Sequence, residues 1–205
     1  MATISIIGSG NMATAIGIRA GKHGHTVEIL SRDAAKAQAL ADQIGNGATV
    51  GAFGTTPTGD IVIVAVPYTY AAATVKDYGD ALRGKTLVDI SNPFNADASG
   101  VATSSGNSAA QELAEAAPEG AHVVKAFNTI FGNVLAQDKP MDAFLAGDSA
   151  EAKASVSVFL QSLDLRPVDA GGLQMATALE WGGILLVGLA GNGAGFNLAL
   201  AAEVL

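Results

Sequence analysis

Short apolar runs of strand length alternate with longer segments of helical period from the first residues to about Asp169. The runs predict strands at Thr3–Ile7, Thr26–Leu30, Thr49–Gly51, Ile61–Val66, Thr86–Ile90, His122–Ala126, Ala143–Ala146 and Arg166–Asp169. The helical period predicts helices at Met12–Lys22, Ala34–Ile44, Tyr70–Asp77, Ser108–Ala117 and Ala150–Leu163. Several strands are apolar at nearly every position, as in Ile61-Val62-Ile63-Val64-Ala65-Val66. Such a run expects burial on both faces, the condition of a central parallel strand covered by helices. Strand, helix, strand in repetition predicts an α/β fold with a doubly wound, mostly parallel sheet. After Asp169 two glycines lead into a last helical region, Leu173 to Leu205, too short to be a domain of its own.

Composition narrows the classes of partner. The chain has 205 residues, 49% of them hydrophobic and 15% charged, enough apolar material for a sizeable core. Eleven Lys and Arg against nineteen Asp and Glu give a formal charge of −8. That balance argues against nucleic acid or an anionic membrane surface as partner, because both bind through dense Lys and Arg. Without cysteine there is no disulfide, thiolate zinc site, iron–sulfur cluster or cysteine nucleophile. The most membrane-like stretch, Trp181 to Ala202, is interrupted by Gly182, Gly183, Gly188, Gly191, Asn192, Gly193, Gly195 and Asn197, which predicts a buried or subunit-facing helical segment and no membrane span. Met1 to Gly8 lacks the basic region and cleavage site of a secretory signal, so a cytoplasmic protein is expected.

The first predicted strand runs into Gly8-Ser9-Gly10-Asn11-Met12-Ala13, followed at once by a helix of small and apolar residues. This is the alanine form of the G-x-G-x-x-G dinucleotide fingerprint. The first glycine makes the tight turn, the second admits a pyrophosphate close to the backbone, and the small sixth residue packs helix on sheet. The helix N-terminus then offers unpaired N–H groups to phosphate. The second strand ends at Ser31-Arg32, eighteen residues past Ala13, where an NAD enzyme usually places an acid on the ribose. A hydroxyl and a planar cation, with Lys36 one turn on, suit the 2′-phosphate of NADP instead. The competing reading pairs Arg32 with Asp33, an acid that would also serve NAD.

Two further segments fall at carboxyl ends of strands, where open α/β sheets bind ligands: Val66-Pro67-Tyr68 and Ser91-Asn92-Pro93-Phe94. They either border a nicotinamide pocket or simply terminate their strands. The irregular stretch Asn92 to Asn107 is either a functional lid or a mobile loop. His23, His25 and His122 form no metal-ligand set, no G-x-S-x-G elbow is present, and the pair Glu112 and Glu115 is expected on a solvated helix face.

Together with Val124-Lys125-Ala126-Phe127-Asn128-Thr129 and Leu165-Arg166-Pro167-Val168-Asp169-Ala170-Gly171, these motifs make the chain resemble the NADPH-dependent coenzyme F420 reductases, and also the related NADPH-flavin domain of the six-transmembrane metalloreductases. The resemblance extends from Ile4 to about Glu180. It implies an NADP-binding Rossmann-type domain over residues 1–170 with a helical cap over 171–205, a homodimer, and hydride transfer between NADP(H) and a small flavin-like acceptor, coenzyme F420 or FMN/FAD. Beside the fingerprint glycines Gly8 and Gly10, it places Ser9, Asn11 and Met12 at the pyrophosphate and Ser31, Arg32 and Lys36 at the 2′-phosphate. Val66, Pro67 and Tyr68 fall on the nicotinamide side. Asn92, Pro93, Asn128, Thr129 and Ile130 would face the acceptor ring. No side chain is expected to act as a catalytic acid or base, and no metal is expected. The competing functions are an NADPH-dependent imine, keto or hydroxy-acid reductase and a non-catalytic NADPH-binding module.

Overall fold

The computed structural model describes residues 2–104 and 106–203. Eight strands form one sheet: β1 Thr3–Ile7, β2 Thr26–Leu30, β3 Thr49–Gly51, β4 Ile61–Val64, β5 Thr86–Asp89, β6 His122–Lys125, β7 Met141–Gly147 and β8 Leu165–Asp169. Their spatial order is β3-β2-β1-β4-β5-β6-β7-β8. The chain winds outward from β1 to β3, then crosses back to β4 and winds the other way. The crevice above β1 and β4 is therefore the topological switch point, where such sheets bind ligands.

All neighbours pair parallel except β6 and β7, which are antiparallel. The segment joining them stays at the carboxyl end of β6, where its single helical turn, α5 (Gly132–Leu135), packs beside α1 (Asn11–Lys22). No helix returns the chain to the start of the sheet, so β7 runs back down. The strand pattern is otherwise close to the sequence expectation, with the runs at Val66, Ile90 and Ala126 each stopping one or two residues early and β7 longer at both ends.

The other helices are α2 (Ala34–Ile44), α3 (Tyr68–Tyr78), α4 (Ala109–Ala116), α6 (Ala150–Ser162) and α7 (Ala176–Leu189). Each of α2, α4 and α6 starts on a side-chain cap, from Asp33, Ser108 and Ser149 respectively. α3 begins at Tyr68, two residues before the hydrophobic period suggests, because Pro67 at φ −56° stands ready to enter a helix.

The helices cover both faces of the sheet, and alternation in β1 divides the core. Ile4 and Ile6 join Ile16, Ile29, Val124 and Phe159 on one face, while Ile7 joins Val62, Val64, Val75 and Leu87 on the other. Each fully buried aliphatic side chain contributes about 1.5–3 kcal/mol. Ser5, buried among them, donates to Glu28 Oε2 at 2.6 Å and accepts the Gly59 N–H at 2.9 Å.

The C-terminal region departs from its expected outline. A 3-10 turn, Leu173–Met175, leads into α7, and an irregular turn carries the chain to Ala194. The glycines at 182, 183 and 188 do not interrupt the helix. By length and composition the run Leu173–Ala194, with an 18-residue window of mean hydropathy 1.4, is long and apolar enough to cross a bilayer. Glu180, near its middle, is instead buried against β5 and β6 in an ion pair. The helical expectation to Leu205 also ends early. Gly193 (φ +104°) and Gly195 (φ +70°) reverse the chain, and residues 196–203 run back beside α5. An isolated bridge joins Ala199 to Ile130, and Asp142 and Arg166 hold Ala202.

Candidate functional site

β1 delivers Gly8 at φ +123°, with its N–H donating to Leu30 O at 2.9 Å. A β-carbon on Gly8 would stand 2.3 Å from the carbonyl oxygen of Ala65, so glycine is required by both torsion and space. Gly10 is different: a β-carbon there would meet nothing within 4 Å. The protein itself has no use for that space, which suits a ligand approaching the backbone. Gly10 is the N-cap of α1, no side chain caps the helix, and no acid occupies its first turn. The free N–H groups and helix dipole together form an anion site. Ala13 is fully buried against the sheet, as the fingerprint requires.

Beside this loop lies a cleft of about 360 Å³ lined by Gly8, Ser9, Ser31, Arg32, Phe53 and Pro67 among others. The hydroxyls of Ser9 and Ser31 are 3.1 Å apart. The pairing of Arg32 with Asp33 that the sequence left open does not form. Asp33 Oδ1 accepts the Lys36 N–H at 3.0 Å, capping α2, and Oδ2 lies 3.2 Å from Lys36 Nζ. These bonds from Lys36 hold the Asp33 carboxyl below its ordinary range. Among the described residues no carboxylate lies within ion-pair distance of Arg32. Its guanidinium is instead 5.5 Å from the ring centre of Phe53 and 6.0 Å from that of Tyr70. The strand end thus presents a free cation, while its one neighbouring acid is engaged with Lys36.

At the carboxyl ends of β5 and β6 a second cleft, about 230 Å³, is lined by Met12, Asn92, Phe94, Asn128, Ile130 and Gly183 among others. Asn128 Nδ2 donates to Asn92 Oδ1 at 2.9 Å and to Leu179 O at 2.9 Å, while Asn92 Nδ2 donates to Asn128 O at 2.8 Å. The two asparagines therefore brace the cleft wall with their amide hydrogens. Asn128 Oδ1 and Thr129 Oγ1 are buried without a protein partner. Gly183 admits this pair, since a β-carbon there would lie 2.7 Å from Asn92 Oδ1. Pro93 is buried behind the wall, and its carbonyl accepts the Ala102 N–H at 2.6 Å. Met12 also borders a third cleft, about 460 Å³, that runs between α1 and α5 past Ile18, Phe131 and Leu135.

Beneath the second cleft lies a buried ion-pair cluster. Lys125, fully buried at the end of β6, donates to Asp89 Oδ2 at 2.8 Å, Ser91 O at 2.6 Å and Glu180 Oε1 at 2.8 Å. Burial pushes the Glu180 carboxyl up, and Lys125 opposes that shift. An acid and a lysine inside otherwise apolar strands were the signal available in the sequence. Their common partner on α7 was not visible there. Two residues on, Phe127 is buried at φ +61°, a left-handed conformation that costs of order 1–3 kcal/mol and turns the chain from β6 toward Asn128.

Tyr68 is placed otherwise than expected. Its hydroxyl donates to Glu112 Oε2 at 2.8 Å, tying α3 to α4, and it is not among the residues lining the cleft beside the glycine loop. Burial first, and then the Glu112 carboxylate, push its phenol up to about 12. Glu112 is correspondingly half-buried, correcting its expected place on a solvated face; Glu115 is exposed. Among the described residues no three His, Cys, Asp or Glu side chains are arranged to hold a metal ion.

The family model for NADP oxidoreductase, coenzyme F420-dependent, matches residues 3–93, the stretch that builds β1 to β5 and the glycine loop. Over that stretch the chain resembles the coenzyme F420-dependent NADP oxidoreductases. It is 30% identical over 145 residues to the F420-dependent NADP reductase of Methanocaldococcus jannaschii, covering 64% of this chain and 62% of that protein. It is also 30% identical over 181 residues to the metalloreductase STEAP3 of Rattus norvegicus, covering 86% of this chain and 35% of that protein. The chain thus aligns with less than two thirds of the length of either. In fold it is similar to a crystal structure from Arthrobacter sp. FB24, provisionally assigned as an F420-dependent NADP reductase, with TM-score 0.86, 22% identity and full coverage of both chains. The matched stretch holds the glycine loop and the switch-point crevice.

Proposed function

We propose that this chain is an NADP-dependent oxidoreductase that transfers a hydride directly between NADPH and a flavin-like acceptor, coenzyme F420 first and FMN or FAD next, and that it works in the cytoplasm as a homodimer. The observation that carries the dinucleotide half is Arg32, free of any carboxylate at the end of β2 while Asp33 is held by Lys36. A 2′-phosphate meets a cation and the hydroxyl of Ser31 there, and no acid is free to repel it or to bind the unphosphorylated ribose. The likeness to the F420-dependent NADP reductase of Methanocaldococcus jannaschii supports F420 as acceptor.

The residues fit a dinucleotide. Gly10 leaves room over the N-terminus of α1, Ser9 and Ser31 offer hydroxyls, and the helix offers unpaired N–H groups. A bound NADPH would supply the hydride, and a flavin-like ring would receive it at an electron-poor ring position, a carbon in coenzyme F420 and a nitrogen in FMN or FAD. Val66 and Pro67 border the nicotinamide side, and Met12 lines both the acceptor cleft and the cleft between α1 and α5. Asn92 and Asn128 keep the acceptor wall fixed, and Ile130 with Phe127 and Phe94 makes it apolar enough to exclude water. No protein group has to move a proton at the transferred hydrogen. Catalysis is then positioning two rings at reacting distance.

Trp181, Leu185 and Leu189 are 49%, 52% and 43% exposed at four-residue spacing along α7. This apolar stripe is the surface on which the homodimer reading rests.

The test is NADPH oxidation by the purified protein, followed at the nicotinamide absorbance, with coenzyme F420, FMN and FAD offered separately. Saturable turnover with one of them supports hydride transfer and names the acceptor class. Tight NADPH binding without turnover on any of the three overturns the acceptor assignment and favours a small-substrate reductase or a binding module.

A further inference from the structure

We infer that Phe53 and Tyr70 are specificity-determining residues: their rings hold the Arg32 guanidinium at the 2′-phosphate position, so that selection of NADP over NAD depends on aromatic positioning of one cation and not on an ion pair. The inference rests on the NADP reading above.

Arg32 is exposed and lies two residues past β2, a position from which a long side chain ordinarily samples many rotamers. Three observations set it apart. Among the described residues it has neither a hydrogen bond nor a carboxylate partner, although Asp33 is next in sequence. Its guanidinium carbon lies within 5.5 Å and 6.0 Å of two ring centres, both inside cation–π range. The two rings come from separate elements: Phe53 from the turn after β3, and Tyr70 from the first turn of α3.

The rings differ in anchorage. Phe53 is half-buried and meets the buried Tyr78 edge-on, with ring centres 5.0 Å apart. It is the fixed side of the cradle and lines the cleft with Ser31. Tyr70 is 54% exposed, and its backbone N–H donates to Pro67 O at 2.9 Å. Among the described residues its side chain makes no hydrogen bond and no aromatic pair, and its cation contact is Arg32. An exposed tyrosine whose contact is a cation facing a phosphate-sized cleft has a role if that cation must be kept in place.

The chemistry favours this device over a salt bridge. A carboxylate holding Arg32 would compete with the phosphate for the same fork of donors and would cancel part of the charge that attracts it. An aromatic face holds the cation through its quadrupole and carries no net charge, so the guanidinium edge remains free to donate to phosphate oxygens. Pre-ordering the side chain removes part of the entropy that binding would otherwise lose.

The experiment compares dissociation constants of NADPH and NADH by calorimetry for the wild type, Tyr70→Leu, Tyr70→Phe, Arg32→Ala and the double variant Arg32→Ala/Tyr70→Leu. Tyr70→Leu is expected to lower the NADPH-over-NADH preference by roughly three- to tenfold with NADH affinity unchanged. Tyr70→Phe, which keeps the ring, should restore the preference. In the Arg32→Ala background Tyr70→Leu should have no further effect, because the tyrosine acts through the arginine. Phe53→Leu should act in the same direction, with its thermal midpoint measured alongside because Phe53 also packs on Tyr78. An unchanged preference in Tyr70→Leu, or the same loss with Arg32 already removed, overturns the inference while leaving NADP binding intact. A wild type that binds NADPH no better than NADH overturns the NADP reading and the inference with it.

Discussion

Lys125 and Glu180 lie 55 residues apart in the chain, and their charged atoms meet at 2.8 Å with no solvent contact on the lysine. One side chain comes from the end of β6 and the other from the middle of α7. The same ammonium also holds Asp89 at the end of β5 and the carbonyl of Ser91, whose neighbour Asn92 braces the acceptor wall. The C-terminal helix is therefore fastened to the sheet directly beneath the proposed acceptor cleft.

Removing the lysine leaves two buried carboxyl groups without their cation. Lys125→Met should destabilise the fold by about 3–5 kcal/mol. Adding Glu180→Gln should recover part of that loss by removing one of the stranded charges. Urea unfolding of the single and double variants checks both the size and the sign.

Arg32→Ala removes a charge-assisted contact of about 1.5–3 kcal/mol with a 2′-phosphate. NADPH affinity should fall roughly ten- to a hundredfold while NADH affinity stays nearly constant. Titration calorimetry with the two nucleotides decides this, and equal losses would place Arg32 outside the 2′-phosphate site.

Burial lowers the pKa of His25 from its ordinary value of 6.5. Its ring accepts the Ala2 N–H and lies 2.8 Å from the Ser162 hydroxyl. The unfolded chain takes up this proton at a higher pH than the fold does, so the group's stabilising contribution is complete above about pH 6.5. It is lost as the pH falls through the lower folded pKa. The thermal midpoint of the wild type should therefore drop more between pH 7.5 and 5.5 than that of His25→Asn. Parallel melts across that range test it.

The exposed stripe on α7 gives the homodimer reading a direct check. Leu185→Glu with Leu189→Glu places two charges on the proposed contact while leaving buried Glu180 and Leu186 untouched. Light scattering should move from a dimer mass to a monomer mass at micromolar concentration. A monomeric wild type removes the reading.

The sequence by itself determined the winding of the fold and the dinucleotide loop. Apolar runs such as Ile61–Val64 can satisfy burial only between two helical layers, and Gly8-Ser9-Gly10 carries its torsional and steric requirements locally. Such features depend on residues a few positions apart, so a one-dimensional pattern contains them. Only the tertiary structure decided which neighbour each polar group takes. Arg32 stands beside Asp33 in the chain yet turns to Phe53 and Tyr70, while Asp33 caps α2. Tyr68 leaves the expected pocket for Glu112, and Lys125 finds Glu180 from 55 residues away in the chain. The reversal of β7 likewise depends on where the chain travels after β6. These choices are settled by packing between distant elements, since a buried charge must find its partner wherever the fold brings one within about 3 Å.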